Sequence, residues 1–527
     1  MTGTQPPTAR RPVVATTHGA VRGTFADAGL LFAGVPFAAP PVAERRLRPP
    51  EPAAPWTGVR DTVTFPAGPA QRAGITPEVE ALGPKAVAVV RALGAAEGTF
   101  SEDCLYLNVW TPGIDSRLPV LVWIYGGGFE TGTASPPGFD GAALSRLTGA
   151  VVVAANYRVG ALGWLYPAGP GSHRWTQSAN LGLQDQSAAL RWVRDNAARF
   201  GGDPDNVTVA GASAGAFSVG ALLALPAAKG LFHKAILQSG SVTRVQAPGT
   251  AAALTEDFLA AAGVEDFDRL ADVPLDRILD AQARVVDSDI GRRNLPGGRI
   301  WGVVHDGTVL SDRPLDAVAA GAAAHIPLLI GANRDEIRMW AHFGGDDYRP
   351  ADEHALIAEM TRAGIADPPA LLEVYRSRLR AAASGAGRPY GGAPDELRDL
   401  RTVFLSDAVY RIPSARLARA QSAAGGRAHT YLFTAEPFGP GTGAFHGAEA
   451  IYLGDKLNAV GIDTPDNLAT RDHLADAWRR FVHTGNPGWA AHSAGHTDTD
   501  TTRQIDPAPR TIHEPPRDIA AHWGVST

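Results

Sequence analysis

Short apolar runs rich in β-branched residues recur along the chain, and stretches long enough for a helix separate them. The runs are PVLVWIY from Pro119, AVVVAANY from Ala150, NVTVAG from Asn206, KAILQSG from Lys234, IPLLIGAN from Ile326 and HTYLFTAE from His429. Strands that are apolar on both faces require a sheet that is covered on both faces, as a parallel sheet between helices is. The pattern therefore predicts an α/β fold in which strands and helices alternate.

Two segments, residues 245–300 and 345–425, interrupt this alternation because they have helical spacing and no clear apolar strand. We interpret them as helical insertions over or beside the carboxyl edge of a mostly parallel sheet, where they would shape a substrate pocket. The alternative is that they are packing helices with no role in binding. Residues 1–12 are predicted to form a flexible tail, and residues 13–527 a single large domain.

Composition and charge disfavour several classes of protein. The 527 residues carry a formal net charge of −6, which offers no basic surface for nucleic acid. The apolar runs are strand-sized, so we expect no membrane span, and the first residues show no secretory leader. The single cysteine, Cys104, cannot form an internal disulfide. These features together favour a cytoplasmic protein.

The strongest local motif is Gly211-Ala212-Ser213-Ala214-Gly215, which lies between an apolar strand and an apolar helical run. A serine at such a strand-to-helix corner is held in a sharp turn, and its hydroxyl projects from the edge of the sheet. We therefore interpret Ser213 as a catalytic nucleophile. The alternative is a glycine-rich turn whose serine only caps the helix.

A serine hydroxyl needs a base to accept its proton, and that base needs a third group to orient it. Two candidate acids, Asp335 and Glu336, follow the predicted strand from Ile326 to Ile330, and spacing alone does not choose between them. His446 lies in a Gly-rich loop after the predicted strand from Thr430 to Thr434. The order Ser, acid, His is typical of α/β-hydrolases.

A tetrahedral intermediate also needs backbone donors for its oxyanion. Gly126, Gly127 and Gly128 follow the first of the apolar strands, so their N–H groups are not screened by side chains. We predict that Gly127, Gly128 and Ala214 supply the oxyanion donors, although a run of glycines is also typical of an ordinary flexible turn.

Cofactor motifs are missing from the sequence. It contains no H-E-x-x-H, no paired cysteines, no G-x-x-x-x-G-K-[ST] and no G-x-G-x-x-G at the head of a βαβ unit. His446 and Glu449 could pass for a ligand pair, but no partner motif accompanies them. We therefore expect neither a metal nor another cofactor.

These motifs together resemble the type-B carboxylesterase family. FGGDPDNVTVAGASAG, from Phe200 to Gly215, is similar to the serine signature of that family, and EDCLYLNVW, from Glu102 to Trp110, to its second signature. The resemblance extends from about residue 13 to residue 490. It implies an α/β-hydrolase fold and a Ser213–Glu336–His446 triad, with Glu336 rather than Asp335 as the acid. It also implies that Ser239 and Glu449 form hydrogen bonds around Glu336.

By this resemblance the expected activity is hydrolysis of small-molecule carboxylic esters through an acyl-enzyme on Ser213. A specialised hydrolase of a xenobiotic ester, a carbamate or an amide would use the same residues. A non-catalytic binding protein is the alternative from another class.

The chain departs from some members of the family. Cholinesterases carry an acidic residue where this chain has Ala212, which disfavours cholinesterase activity. Secreted relatives pair the cysteine at the position of Cys104 with an upstream cysteine, and residues 60–100 contain none.

Overall fold

The computed structural model describes residues 11–27, 29–75, 80–81, 83–287, 289–343, 348–383, 395–492 and 501–525. Most of the tail predicted over residues 1–12 therefore lies outside the described residues, whereas the carbonyl of Pro12 accepts a hydrogen bond from the N–H of Gly23 at 2.9 Å. Residues 345–347 and 384–394 of the second predicted insertion also lie outside the described residues.

An eleven-stranded sheet runs through the molecule. Its strands are β1 Thr24–Ala26, β2 Gly29–Pro36, β3 Tyr106–Thr111, β4 Leu118–Ile124, β5 Val151–Ala155, β6 Gly202–Ala212, β7 Lys234–Gln238, β8 Leu328–Asn333, β9 Ala428–Phe433, β10 Thr502–Ile505 and β11 Thr511–Ile512. Their order is β11-β10-β9-β8-β7-β6-β4-β5-β3-β2-β1. From β10 to β5 every neighbouring pair is parallel, and the pairs at both ends of the sheet are antiparallel.

All six apolar runs lie in strands of this sheet, which confirms the predicted α/β class. Residues 119–124 of β4 are all buried, as expected of a strand that is covered on both faces. The parallel register pairs Ala212 with Gln238, and Gln238 with Gly331. This register brings the ends of β6, β7 and β8 to one edge of the sheet.

Helices flank the sheet. The helices are α1 Pro84–Ala92, α2 Gly141–Thr148, α3 Gly160–Trp164, α4 Leu181–Asn196, α5 Ala214–Leu222, α6 Pro248–Ala262, α7 Leu275–Val285, α8 Ile290–Asn294, α9 Pro314–Ala319, α10 Arg338–Phe343, α11 Glu353–Arg362, α12 Pro368–Ala383, α13 Glu396–Ser406, α14 Ile412–Ala423, α15 Ala448–Leu453, α16 Pro465–Thr484 and α17 Arg517–His522. The α4 and α5 helices contact β6, and α16 packs against both β4 and β6. Within the described residues, no helix is long and apolar enough to cross a membrane.

The two predicted insertions are largely helical where they are described. The first contains α6, α7 and α8, and also a two-residue strand, Val245–Gln246, which pairs with Val303–Val304. The second contains α11, α12, α13 and α14, with a π-helical turn at Asp407–Arg411 between the last two. Since α14 packs against β8 and β9, the end of the second segment lies on the sheet itself.

Candidate active site

Ser213 lies between the last residue of β6 and the first residue of α5, with φ 54° and ψ −122°. A non-glycine residue seldom adopts positive φ, and such strain is typical of functional turns. The turn is held by two backbone hydrogen bonds of 2.9 Å, one from Ser213 N–H to the carbonyl of Gln238 and one from Phe217 N–H to the carbonyl of Ser213. The geometry is that of a nucleophile elbow.

The two glycines of the motif allow close backbone contacts at this corner. A Cβ atom on Gly215 would lie 2.0 Å from the carbonyl oxygen of Ile124, and one on Gly211 would lie 2.5 Å from the carbonyl carbon of Gly215. Both distances are far below van der Waals contact. The motif therefore requires glycine on each side of Ser213 so that α5 can start directly against β4 and β6.

His446 and Glu336 form a hydrogen-bonded pair at the same edge of the sheet. The Nδ1 atom of His446 lies 2.6 Å from Oε2 of Glu336, and the side chains of both residues are nearly or fully inaccessible to solvent. The other carboxylate oxygen of Glu336 accepts a hydrogen bond from Asn333 N–H at 2.8 Å. Because Nδ1 faces the carboxylate, Nε2 is the ring nitrogen left for another partner.

The structure separates the two candidate acids. Only the carboxylate of Glu336 contacts His446, whereas Oδ2 of Asp335 accepts hydrogen bonds of 2.9 Å from Ala444 N–H and from Nε of Arg334. Asp335 therefore ties the loop that carries His446 to the end of β8. It does not orient the imidazole.

The glycine loop after β4 lies directly against the elbow. A Cβ atom on Gly126 would lie 2.8 Å from the carbonyl oxygen of Ala212, and Gly127 has φ 114°. The carbonyl of Gly127 accepts hydrogen bonds of 3.0 Å from the N–H groups of Glu130 and Thr131. Gly127 and Gly128 line the same cavity as Ser213, and Ala214 is the buried first residue of α5.

Ser239 and Glu449 lie beside this pair and bond to each other. Among the described residues the Glu336 carboxylate bonds to Asn333 and His446, whereas Ser239 Oγ donates to Oε2 of Glu449 at 3.5 Å. The other oxygen of Glu449 accepts a 2.5 Å hydrogen bond from the hydroxyl of Tyr431. These two partners direct Glu449 toward β7 and β9, so it does not bond to Glu336.

Burial raises the pKa of Glu449 to about 8. The hydrogen bond from Tyr431 opposes this shift, and the negative charge of Glu336 adds to it. Glu449 is therefore mostly protonated at neutral pH, and a second negative charge does not stand beside Glu336.

A cavity of about 1050 Å³ opens at this edge of the sheet, and Ser213 and His446 both line it. The rings of Trp340 and Tyr410 lie 4.9 Å from the imidazole of His446, centroid to centroid. Tyr410 belongs to the π-helical turn of the second predicted insertion. Sequence reasoning missed its position at the site, because one π-helical turn leaves no periodic signal in a chain that is helical on both sides.

Arg244 is a second cavity residue that sequence reasoning missed. Its guanidinium lies over the ring of Phe129 at 5.3 Å and over the ring of Phe217 at 5.4 Å. No motif surrounds this arginine in the sequence, so its place in the cavity wall is seen only in the structure.

Within the part of the chain that the structure describes, no group of three His, Cys, Asp or Glu side chains could bind a metal ion.

The sheet order, the elbow serine and the Glu–His pair place this chain among the α/β-hydrolases. The model of the carboxylesterase family matches residues 10–508. The chain therefore belongs to the carboxylesterase family, and it is a carboxylic ester hydrolase.

Known relatives agree with this assignment. The chain is 34% identical over 511 residues to the para-nitrobenzyl esterase of Bacillus subtilis, and this match covers 94% of each protein. It is 40% identical over 331 residues to the fumonisin B1 esterase of Sphingopyxis macrogoltabida, which covers 62% of this chain and 56% of that protein. Among solved structures, the Geobacillus stearothermophilus carboxylesterase EST55 superposes with a TM-score of 0.81 at 33% identity, and the match covers 97% of this chain and all of that one.

Proposed function

We propose that Ser213, His446 and Glu336 form the catalytic triad of this esterase. The observation that carries the proposal is the 2.6 Å hydrogen bond to Glu336 from His446, which lines the same cavity as the strained Ser213. The carboxylate holds the imidazole in the tautomer with a free Nε2 and stabilises its cation. Neutral imidazole can then accept the proton of Ser213.

The reaction proceeds in two halves. Ser213 Oγ attacks the ester carbonyl carbon while its proton passes to His446, and the tetrahedral intermediate expels the alcohol, which takes that proton. Water then attacks the acyl-enzyme, His446 accepts the proton of the water, and Ser213 regains a proton as the carboxylic acid leaves. The N–H groups of Gly127, Gly128 and Ala214 would stabilise both oxyanions.

Small and medium-sized esters are the proposed substrates. The cavity of about 1050 Å³ is large enough for an aryl ester, and the relative from Bacillus subtilis is named for para-nitrobenzyl esters.

The proposed location is the cytoplasm of a bacterium. Cys104 is buried and is the single cysteine of the chain, which supports a cytoplasmic location without disulfides. The relatives from Bacillus, Sphingopyxis and Geobacillus support a bacterial source.

Hydrolysis of p-nitrophenyl acetate and p-nitrophenyl butyrate by the purified protein tests the mechanism. Ser213→Ala is expected to lower kcat by at least about 10⁴-fold, because the covalent route is lost. Ser218→Ala is the matched control: Ser218 lies in α5, the helix that Ser213 precedes, and its hydroxyl accepts a hydrogen bond from Gln186 at 3.1 Å. Equal turnover by wild type and Ser213→Ala would overturn the triad, and a folded wild type without turnover would favour a binding protein.

A further inference from the structure

Arg244 presents an unpaired guanidinium to the catalytic cavity. Its Nε is buried without a hydrogen-bond partner, and within the described residues no carboxylate pairs with the side chain. The guanidinium lies over the ring faces of Phe129 and Phe217 instead. Aromatic faces stabilise a cation but leave its N–H groups unsatisfied.

Arg244 remains charged despite its surroundings. Burial lowers the pKa of Arg244 to about 10, and the nearby Tyr410 opposes that shift. The guanidinium is therefore protonated at neutral pH. A charge in a half-buried site without hydrogen bonds is costly unless a ligand supplies them.

The other charged groups of the cavity wall have partners of their own. Arg293 is ion-paired with Glu130. Lys456 Nζ lies 3.4 Å from three backbone carbonyl oxygens, and Asp140 supports its charge. Since Glu449 is mostly protonated at neutral pH, no charge that the described part of the wall holds balances the positive charge of Arg244.

Arg244 also lines the same cavity as Ser213 and His446. Phe129 follows the glycine loop directly, and the N–H of Phe217 bonds to the carbonyl of Ser213 at 2.9 Å. The ring of Tyr410 lies 6.1 Å from that of Phe217 and 4.9 Å from the imidazole of His446. An ester bound at Ser213 and the Arg244 guanidinium therefore share one cavity.

We propose, on the basis of the function proposed above, that this cavity selects carboxylic esters that bear a second, ionised carboxylate, and that Arg244 binds this carboxylate. The fork of N–H groups on a guanidinium matches the two oxygens of a carboxylate. One unpaired guanidinium balances a single negative charge, whereas a phosphate monoester would bring nearly two. The carboxylate can belong to the acyl part or to the alcohol part of the ester.

Four esters distinguish these cases. Monoethyl adipate carries the charge on the acyl side, and its isostere ethyl 5-carbamoylpentanoate replaces the carboxylate with a neutral amide. Sodium 6-acetoxyhexanoate carries the charge on the alcohol side, with 6-acetoxyhexanamide as its isostere. We expect wild-type kcat/KM to be about 10-fold to 100-fold higher for the charged member of at least one pair.

Substitution of Arg244 tests whether this residue is responsible. Arg244→Met is expected to reduce that preference to about one, and Arg244→Lys to retain part of it because the charge remains. Arg416→Met is the matched control: burial also lowers the pKa of Arg416, but it donates to the carbonyl of Trp523 and does not line the cavity. This variant should keep the wild-type ratio.

Two results would overturn the inference while leaving ester hydrolysis intact. The first is a wild type that hydrolyses p-nitrophenyl butyrate but shows no charge preference in either pair. The second is a preference that Arg244→Met and Arg244→Lys both keep in full. If Arg244→Met does not fold, as judged by thermal unfolding, the inference is tested by two other measurements. These are the wild-type kcat/KM ratios of charged to neutral esters and the same ratios for Arg244→Lys. A wild type without turnover on any ester contradicts the proposed function instead.

Discussion

Glu336 and His446 are joined by a 2.6 Å hydrogen bond between Oε2 and Nδ1, although 110 residues separate them in the chain. A second hydrogen bond, from His446 N–H to the carbonyl of Glu336 at 3.1 Å, fixes the two loops to each other. The backbone and the side chains therefore set the orientation of the imidazole together. Such a doubly held imidazole is preorganised for the proton transfer from Ser213 that we propose.

Glu336→Gln is expected to lower kcat on p-nitrophenyl butyrate by about 10⁴-fold, because an amide neither holds the reactive tautomer nor stabilises the imidazolium. Asp335→Asn is the matched control, since its carboxylate bonds to Ala444 and Arg334. We expect this variant to retain most of its kcat and to lose some thermal stability. A larger loss for Asp335→Asn than for Glu336→Gln would reverse the assignment of the acid.

Gly127→Ala is expected to lower kcat by about 10²–10³-fold, because the oxyanion donors would be displaced. A Cβ atom there would lie 2.2 Å from the carbonyl oxygen of Thr131, and φ 114° is unfavourable for alanine. At Gly128 a Cβ atom meets open space, and φ 65° is a left-handed conformation that costs alanine about 1–2 kcal/mol. Without a steric clash, Gly128→Ala should cost less than Gly127→Ala. Steady-state kinetics on both variants checks this order, and equal losses would argue against a tightly held loop.

Glu449→Gln is expected to gain stability relative to wild type as the pH rises. Burial raises the pKa of Glu449 from 4.5 to about 8, so between these values the folded state keeps a proton that the unfolded state has released. The free energy of unfolding of wild type therefore falls across this interval, by roughly 1–4 kcal/mol from this group. Glutamine does not titrate and removes that dependence.

Urea unfolding of wild type and Glu449→Gln at pH 5 and pH 8 measures this effect. The difference in unfolding free energy between the two proteins should shift in favour of the variant at pH 8. A difference that is constant between the two pH values would show that Glu449 is ionised in the folded protein.

Asp185→Asn is expected to destabilise the fold by about 3 kcal/mol, because it leaves the buried Arg158 guanidinium without a counter-charge. The side chains of this pair are 4% and 0% exposed, and Asp185 accepts three hydrogen bonds of 2.7–3.0 Å from Arg158. Asp195→Asn, in the same helix, is the control. Its pair with Arg194 is exposed and should contribute less than about 1 kcal/mol.

Chemical denaturation of the two variants side by side checks this contrast. Similar midpoints for Asp185→Asn and wild type would mean that the buried pair contributes little beyond its own desolvation cost.

Sequence reasoning located six of the eleven strands of the sheet, but not the ends of those strands. The strand predicted from Ile326 to Ile330 is β8, Leu328–Asn333. Pro327 has no N–H to donate to the sheet, and Ile326 N–H bonds to Ala323 in a turn, so pairing starts at Leu328 with a bond to Arg427. The missing N–H of Pro327 thus explains why β8 starts two residues after the predicted start, although the strand itself is present.

The amino-acid sequence by itself determined the α/β class and the elbow at Ser213. Both rest on signals within a few residues: apolar runs of strand length, and glycines where the backbone must approach closely. Spacing left Asp335 and Glu336 open, and the family resemblance already implied Glu336 as the acid. The pairing of Ser239 with Glu449 and the placement of Tyr410 and Arg244 in the cavity wall were decided only by the tertiary structure. Each of these depends on where side chains from distant loops point, and that direction is set by the packing of the whole sheet edge and not by neighbours along the chain.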